Sequence, residues 1–493
     1  MYKIYKRWGD AFIISQLFVV PLSLDFAFKI VTPRNLYFRD YGVSIIKGKN
    51  KFENKMNDLM FRVYAVKTKL KKAIMKQRII SMLVGLTMMM GASAQGTERI
   101  DREEILTLYG NAEKIDSLYN FWNTYVQVHP KDEVAWHNLF EVSEKMVSSR
   151  IHTTKDWKGC EEYRKQLNVV GRMEKAIPGT YTFYYSAYEG SYLPEEEEKL
   201  AKKNNMTTLY MHHDAYADSA IATLPSNAMA GDYERWILHL IPKCDTVRIN
   251  QLLTRYYESG QYPEETLQYH FNELQGMETG GVYCGAHEGD IVGKLILQRV
   301  LGVHQDKILY DENASMDPEY VKAVFEHIGI SFDKAWYWQG YENQIEKQRA
   351  IMRYIFDHSK RPVYLSAHNM QGYVLGYGLP DELKACLYNE GLTIRYSTKP
   401  YDNMAVKRCN IEQRYRLEYL RMPFHPKMKD TQLFSFSADA YAMNYMRLLH
   451  DQLPYYKKHN RERYQWLHDI FTDIIERLEK ENFDVDEFKG YLK

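Results

Sequence analysis

Two short groups of polar residues in this sequence have the side chains that metal binding or acid–base catalysis requires. Each group follows a segment predicted to be a β-strand, and the carboxyl ends of strands are where α/β sheets bind their ligands. Carboxylates and imidazoles that lie together could hold a divalent metal ion or transfer protons. The candidates are His287, Glu288 and Asp290 in the first group and His368 and Asn369 in the second.

Each candidate also has an ordinary structural interpretation. Asp290 comes where a helix should begin, and Asp is a preferred residue just before a first helical turn. His287 and His368 are also consistent with ordinary surface-loop residues. The sequence gives Glu288 no stronger indication of a functional role. The segment 285–290 lacks the GxGxxG spacing, so it does not indicate a dinucleotide site. We therefore expect no cofactor, with a divalent metal ion as the alternative.

Two further groups resemble sites more weakly. Residues 212–214 read His-His-Asp and are followed by Asp218, but adjacent histidines diverge on a helix, which favours a solvated helix face. Residues 336–338 read Trp-Tyr-Trp, which suits either stacking on a sugar or packing on the sheet, and packing is favoured. No GxSxG, HExxH, phosphate-loop or Cys–His signature occurs in the chain.

The elements that must position the candidates begin with a βαβ pattern. Residues 281–284 read as a buried strand, 285–290 as a turn, 291–301 as an amphipathic helix and 307–310 as the next strand. A strand, helix and strand within about thirty residues predict a parallel pair joined by a right-handed crossover.

A similar pattern returns further along the chain. Residues 362–366 and 392–396 read as strands, and the helix predicted between them spans 379–389 and is ended by Gly391. We therefore expect a small Rossmann-like parallel sheet of about four strands within residues 280–400. If the strands that precede the two candidate groups are neighbours, the candidate side chains converge.

Helices are predicted on both sides of this α/β segment. Around residues 129–132 a helix, a Pro-containing turn and a second helix follow one another, as in a tetratricopeptide-type unit. Residues 95–276 are therefore expected to form tetratricopeptide-like helical hairpins, and 401–493 a C-terminal helical region. The predicted fold class is α/β plus all-α, with these hairpins flanking the small parallel-sheet domain.

An internal signal peptide indicates where the protein works. Residues 75–94 begin with Met75, carry a positive start and a short apolar centre, and end in Ala-Ser-Ala. The prediction is cleavage after Ala94 and a periplasmic or secreted product. Residues 1–74 are then interpreted as a mis-assigned upstream extension, the alternative being a membrane segment at 11–31.

The charge of the exported part restricts its partners. The first 94 residues carry a net +12, from 17 Lys and Arg against 5 Asp and Glu, and the whole chain is +1, so the remainder is −11. An acidic body argues against nucleic-acid binding and against docking on an anionic membrane surface. No apolar run after residue 94 approaches the length of a membrane span, so we expect no stable span in the mature chain.

The cysteines do not have the spacing of a metal site. There are five, with no CxxC, and an odd number leaves at least one thiol outside any disulfide, although one or two disulfides are possible after export. They are Cys160, Cys244, Cys284, Cys386 and Cys409.

Two ordered runs of residues within 280–400 resemble the signatures of one protein family. The first is Gly281-Val282-Tyr283, Gly289-Asp290, Leu297-Gln298, Val300-Leu301-Gly302-Val303 and Asp306, and the second is Arg361-Pro362-Val363-Tyr364, Glu390-Gly391-Leu392 and Arg395. They resemble a family of multispanning bacterial envelope proteins of unknown function that is related to protein O-mannosyltransferases. In that family the signatures belong to the soluble part, often beside tetratricopeptide-like helices.

The resemblance implies a soluble module that accompanies envelope or glycan processes. The family turn shows Gly-Asp-Asn-Asp, whereas this chain has Gly-Asp-Ile-Val at 289–292. The chain also has no membrane half, where sugar transfer by the family would reside. Transferase activity is therefore not carried over.

The sequence favours an exported, non-catalytic protein that binds a protein or glycan partner in the bacterial cell envelope. The alternative is a metal-assisted hydrolase or a glycan-acting enzyme with its site at the strand-end loops 285–290 and 367–369. The enzyme hypothesis requires His287, Asp290 and His368 to meet in one pocket.

Overall fold

A computed structural model describes the chain from residue 112 to 492 with several gaps. The leader at 75–94, the extension at 1–74 and the candidates His287, His368 and Asn369 lie outside the described residues. The described ranges are 112–151, 160–192, 209–285, 288–337, 340, 344–366, 381–422, 438–480 and 483–492.

Eight helices precede the sheet in the described part of the chain. Neighbours in sequence pack in pairs, α1 on α2, α2 on α3, α4 on α5 and α6 on α7, each burying an apolar stripe that it could not bury alone. This pairing suits helical hairpins, and the tetratricopeptide assignment stays a prediction. The helices are α1 (Ala112–Val128), α2 (Glu133–Ile151), α3 (Glu161–Ala176), α4 (Tyr181–Glu189), α5 (Leu209–Thr223), α6 (Ala230–Leu240), α7 (Thr246–Glu258) and α8 (Glu264–Gly276).

The turn between α1 and α2 shows how the sequence sets these boundaries. The Asp132 carboxylate accepts a hydrogen bond from the Ala135 backbone N–H at 3.0 Å, which caps the start of α2. The Trp136 indole N–H donates to the Pro130 carbonyl oxygen at 2.9 Å. Trp136 is buried together with Phe140, as the helical pattern predicts.

Five short strands form one mixed sheet in the order β2-β1-β3-β5-β4. β1 pairs in parallel with β2 and with β3, whereas β5 pairs antiparallel with both β3 and β4. The expectation of an all-parallel sheet is therefore wrong for the last two strands. The strands are β1 (Val282–Gly285), β2 (Ile308–Asp311), β3 (Val363–Ser366), β4 (Leu387–Asn389) and β5 (Thr393–Tyr396).

The predicted helix at 379–389 is also corrected. In its described part, 381–389, the helix is confined to Asp381–Lys384, and Leu387–Asn389 is the edge strand β4. Gly391 does not end a helix but lies in the turn between β4 and β5, with a φ of 130° that favours glycine. The chain therefore reverses there, which makes β4 and β5 antiparallel.

Helices connect the strands and follow the sheet. α9 joins β1 to β2 and continues as a π-helical turn, Ile296–Val300, before Gly302, whose φ is 67°. The connecting helices are α9 (Glu288–Leu295), α10 (Pro318–Ile328), α11 (Lys334–Tyr337), α12 (Gln344–His358) and α13 (Asp381–Lys384). The C-terminal helices are α14 (Asn403–Cys409), α15 (Ala438–Leu449), α16 (Leu453–His459), α17 (Arg461–Lys480) and α18 (Asp486–Tyr491).

The three regions expected from the sequence share one hydrophobic core and belong to one compact unit, Thr97–Lys493. The Asn272 side-chain amide on α8 donates to the Arg416 carbonyl oxygen at 3.0 Å and to the Tyr445 hydroxyl on α15 at 2.7 Å. Asn410 similarly donates to the Glu390 carbonyl oxygen at 2.7 Å. The C-terminal helices are thus joined to both the hairpins and the sheet.

β1 is the middle one of the three parallel strands, and its residues are fully buried. Cys284 lies in the middle of this strand, between Tyr310 of β2 and Leu365 of β3. None of the five cysteines, all of which the structure describes, forms a disulfide. In the described residues, no helix is both long and apolar enough to cross a membrane.

Candidate functional site

The carboxyl ends of β1, β2 and β3 meet at one edge of the sheet. Gly285 at the end of β1 is in register with Asp311 of β2, and the Glu312 N–H donates to the Gly285 carbonyl oxygen at 2.9 Å. On the other side, Cys284 is in register with Leu365, so Ser366 ends β3 at the same edge. The strands that precede the two candidate groups are therefore neighbours, as convergence of those groups requires.

Asp290 points across this edge rather than only starting a helix. It is the third residue of α9, which begins at Glu288, so it is not the residue before the helix. Its Oδ2 accepts a hydrogen bond from the Ser366 hydroxyl at 2.9 Å, and its Oδ1 accepts one from the Tyr283 hydroxyl at 3.4 Å. A Cβ at Gly285 would lie 2.8 Å from the Asp290 Cβ, so the close approach needs glycine.

A fully buried lysine lies one turn beyond Asp290 on α9. The Lys294 ammonium donates to Glu273 Oε2 at 2.5 Å, to His270 Nδ1 at 2.8 Å and to the Asp290 carbonyl oxygen at 2.9 Å. Glu273 also accepts a hydrogen bond from the Tyr283 hydroxyl at 3.0 Å. This network joins α8, β1 and α9 beneath the edge of the sheet.

Burial shifts the protonation of this network. It raises the pKa of Glu273 to about 7, although the Lys294 ammonium and the hydrogen bonds oppose the shift. Burial and the nearby Lys294 charge lower the pKa of His270 well below its usual range. His270 is therefore a neutral imidazole, whose Nδ1 can accept the hydrogen bond from Lys294.

Two more carboxyl groups, Asp311 and Glu312, stand at the end of β2, and each residue is 3% exposed. The Asp311 carboxylate accepts from the Asn313 backbone N–H at 2.9 Å. Glu312 differs, because its Oε1 is buried and has no hydrogen-bond partner within the described ranges.

Their pKa values are raised toward neutrality. Burial is the main cause for Asp311, whose pKa rises to about 7, and the Asp290 charge adds to the shift. For Glu312, burial and then the charges of Asp311 and Asp290 raise the pKa to about 8, while Arg349 opposes them. Strongly perturbed carboxyl groups at one edge of a sheet are typical of functional sites.

The C-terminal region also contributes to this edge. The Tyr441 hydroxyl on α15 donates to the Gly289 carbonyl oxygen in the first turn of α9, at 2.6 Å. The Tyr441 ring lies 4.5 Å from the Tyr269 ring and 5.3 Å from the His270 ring, measured between centroids. Aromatic rings therefore line the side of the acidic network that faces α15.

The structure describes only part of the predicted site. Asp290 lies in the acidic network, and Glu288 begins α9, although its side chain is not described. The other candidates fall outside the described residues. Sequence reasoning missed five contributors, of which two stand at the end of β2 and could have been found by the same strand-end rule. The missed residues are Glu273, Lys294, Asp311, Glu312 and Ser366.

No metal site is visible in the ranges that the structure describes. There, no group of three or more His, Cys, Asp or Glu side chains has the arrangement that could hold a metal ion. Of the weaker group at 212–218, Asp214 pairs with Lys243 at 2.6 Å and Asp218 pairs with Arg248. Those carboxylates are thus occupied in surface ion pairs.

The aromatic group at 336–338 packs rather than forming an open platform in its described part. Tyr337 is fully buried, and its hydroxyl donates to the Ser315 carbonyl oxygen at 3.0 Å and to the Met316 carbonyl oxygen at 2.7 Å. Trp336 lies against Tyr354, with ring centroids 4.2 Å apart. Packing therefore accounts for both side chains.

Comparison with known proteins does not add a functional assignment. No family model matches the chain, and a search of curated proteins gives no significant match. The resemblance to the envelope family therefore stays a prediction, and the site has to be interpreted from its own chemistry.

Proposed function

We propose that this protein is an exported, non-catalytic binding protein of the bacterial cell envelope and that its ligand is a glycan. The ligand would bind at the carboxyl edge of β1, β2 and β3. The observation that carries the proposal is a group of interacting carboxyl groups at this edge. It includes Asp290, Asp311 and Glu312. The position agrees with the general rule for ligand binding in α/β sheets.

The chemistry of the edge suits a polyhydroxylated ligand. Sugar hydroxyl groups are hydrogen-bond donors, and carboxylates are the side chains with the greatest capacity to accept such bonds. Specific pockets combine a few placed polar groups with aromatic walls. Tyr441 and Tyr269 supply such rings beside the network. Export is supported by the signal peptide pattern at 75–94.

The test is a glycan array probed with the chain that begins at residue 95. We expect the wild-type protein to retain one class of glycan, and Asp290→Asn to weaken its binding at least about tenfold, since that replaces a charged acceptor by an amide. Asp357→Asn is the matched control, because Asp357 is half-exposed and pairs with Arg353. Retention of no glycan, or equal binding by Asp290→Asn, would contradict the proposal.

A second candidate, a glycan-acting enzyme or hydrolase, is favoured by one specific observation. The Asp311 and Glu312 pKa values of about 7 and about 8 are close to those that a general acid or base needs at neutral pH. The test is release of a chromophore from aryl glycosides and esters, with and without a chelator. Turnover that is lost in Glu312→Gln would replace the non-catalytic proposal, and a loss on chelation would indicate a metal.

A further inference from the structure

Glu312 is a buried carboxyl group with unused hydrogen-bonding capacity. Only 3% of the residue is exposed, and Oε1 has no hydrogen-bond partner among the residues that the structure describes. Removing such a group from water without a partner is unfavourable, and buried polar atoms in folded proteins are nearly always satisfied. In the described part of the chain, this oxygen is therefore an acceptor that a bound donor could satisfy.

The charges around the edge indicate what kind of donor is missing. Four carboxyl groups interact there, and Lys294 and Arg349 are the cations that act on them. His270 does not add a charge, because its pKa is lowered. In the described part of the site, carboxyl groups thus exceed cations by two. The carboxyl groups are those of Glu273, Asp290, Asp311 and Glu312.

The same edge already shows how it accommodates an ammonium group. Lys294 Nζ contacts the Glu273 carboxylate at 2.5 Å and two neutral acceptors, His270 Nδ1 at 2.8 Å and the Asp290 carbonyl oxygen at 2.9 Å. It also lies 4.1 Å from the centroid of the Tyr283 ring, which is a cation–π distance. In this part of the molecule one amine is thus buried by a carboxylate, two neutral acceptors and an aromatic face.

We propose that the ligand of this edge carries a primary ammonium group that binds the Glu312 carboxylate, and that the ligand is an amino sugar. The inference rests on the proposed function, because it takes the ligand to be a glycan. It goes further by naming the chemical group that is recognised and the residue that recognises it.

Binding of an ammonium group at Glu312 has a defined proton balance. Burial and the charges of Asp311 and Asp290, which outweigh that of Arg349, raise the pKa of Glu312 to about 8. At pH values below this pKa the carboxyl group of the empty site is mainly protonated. An ammonium ion favours the carboxylate, so the proton leaves to the solvent as the ion pair forms. No covalent bond of the ligand changes.

The experiment is titration calorimetry at pH 6 with the glucosamine disaccharide and with its N-acetylated counterpart. The two sugars differ in the amine and share the ring hydroxyl groups. We expect the free amine to bind at least about tenfold more tightly, as one favourable buried charge contact would give. Repeating the titration in buffers of different ionisation enthalpy should reveal release of about one proton per bound ligand.

Glu312→Gln should bind both sugars with similar affinity, whereas Glu479→Gln, a change at an exposed ion pair with Lys489, should keep the preference. Equal binding of the two sugars by the wild type would overturn the inference and leave the glycan proposal standing. Binding of neither would overturn both. The proton count needs only the wild type, so absence of proton release would overturn the inference even if Glu312→Gln failed to fold.

Discussion

At the scale of single residues, the buried ion pair of Lys294 and Glu273 is the contact with the greatest consequence for stability. Both side chains are at most 1% exposed, and the ammonium also contacts His270. Because a charge is costly to bury alone, each partner depends on the other for its place in the core. The pair therefore fixes how α9 sits on α8.

Removal of the ammonium should destabilise the protein strongly. We expect Lys294→Met to lower the free energy of unfolding by about 3–5 kcal/mol, because it leaves Glu273 buried without its cation. Lys243→Met is the matched control, since Lys243 pairs with the half-exposed Asp214 and should cost at most about 1 kcal/mol. Urea unfolding measures both, and equal losses would show that the buried pair has no special role.

The carboxyl groups at the end of β2 predict that stability falls as pH rises above neutrality. Folded Glu312 keeps its proton to about pH 8, whereas its ordinary pKa is 4.5, so the folded state binds more protons in between and raising the pH favours unfolding. The free energy of unfolding should fall between pH 7 and 8.5, by at most about 1.4 kcal/mol per pH unit from this group.

That pH range avoids the buried histidines, such as His270, whose lowered pKa values make stability rise with pH only below the usual histidine value. Thermal unfolding at both pH values is the measurement. Glu312→Gln should reduce the fall in Tm, and Glu479→Gln should not. A Tm that is constant across this range, or an unchanged fall in Glu312→Gln, would contradict the raised pKa.

A site residue could be predicted from the sequence only where the residues next to it in the chain indicate its position. Asp290 belongs to the segment 285–290 that was predicted as the turn after the first strand, so the strand-end rule identified it. Glu273 and His270 belong to α8, before the sheet, and only tertiary packing brings them under the edge. No local pattern distinguishes them from other polar residues of a helix.

At the scale of elements, the buried strands were predicted to within one residue because short apolar runs bounded by turns leave few alternatives. The failure at Leu387–Asn389 has a physical cause. This edge strand is only half-buried, and its pairing with β5, in which Tyr388 lies opposite Arg395, decides its conformation. A pairing partner is long-range information that a helical pattern in one segment does not contain.

The contact between α9 and α8 gives a prediction for Gly293. A Cβ there would collide with the His270 ring and the Tyr262 hydroxyl, so Gly293→Ala should cost about 1–3 kcal/mol through overpacking. Gly490→Ala in α18 is the control, because nothing lies within 4 Å of its Cβ position and alanine is the better helix former. Chemical denaturation should show a lower free energy of unfolding for Gly293→Ala and no such loss for Gly490→Ala. An unchanged free energy of unfolding in Gly293→Ala would contradict the tight packing.

At the scale of the whole molecule, the charge of the chain is unevenly divided. The predicted leader and the residues before it hold the excess of Lys and Arg, and the remainder is acidic at −11. The described elements begin at Ala112, beyond the predicted cleavage point after Ala94. Export would therefore release an acidic protein whose described helices and sheet are intact.

Processing can be tested directly. When residues 75–493 are expressed in a Gram-negative host, we expect a periplasmic product that begins at Gln95, because small residues stand at the cleavage point. Ala94→Tyr should leave the leader attached, whereas Ser93→Ala should be processed normally. Mass spectrometry of the fractionated product decides, and an unprocessed wild-type chain in the cytosol would contradict the localisation.

Cys284 is buried in β1, so chemical modification of its thiol can report transient opening of the sheet. Burial raises the pKa of this thiol well above its usual range, so it should be inert toward alkylating reagents while the sheet is closed. Its rate of modification would then measure how often the three parallel strands separate. A ligand that occupies the neighbouring edge should slow that rate, which offers a screen that needs no knowledge of the ligand's identity.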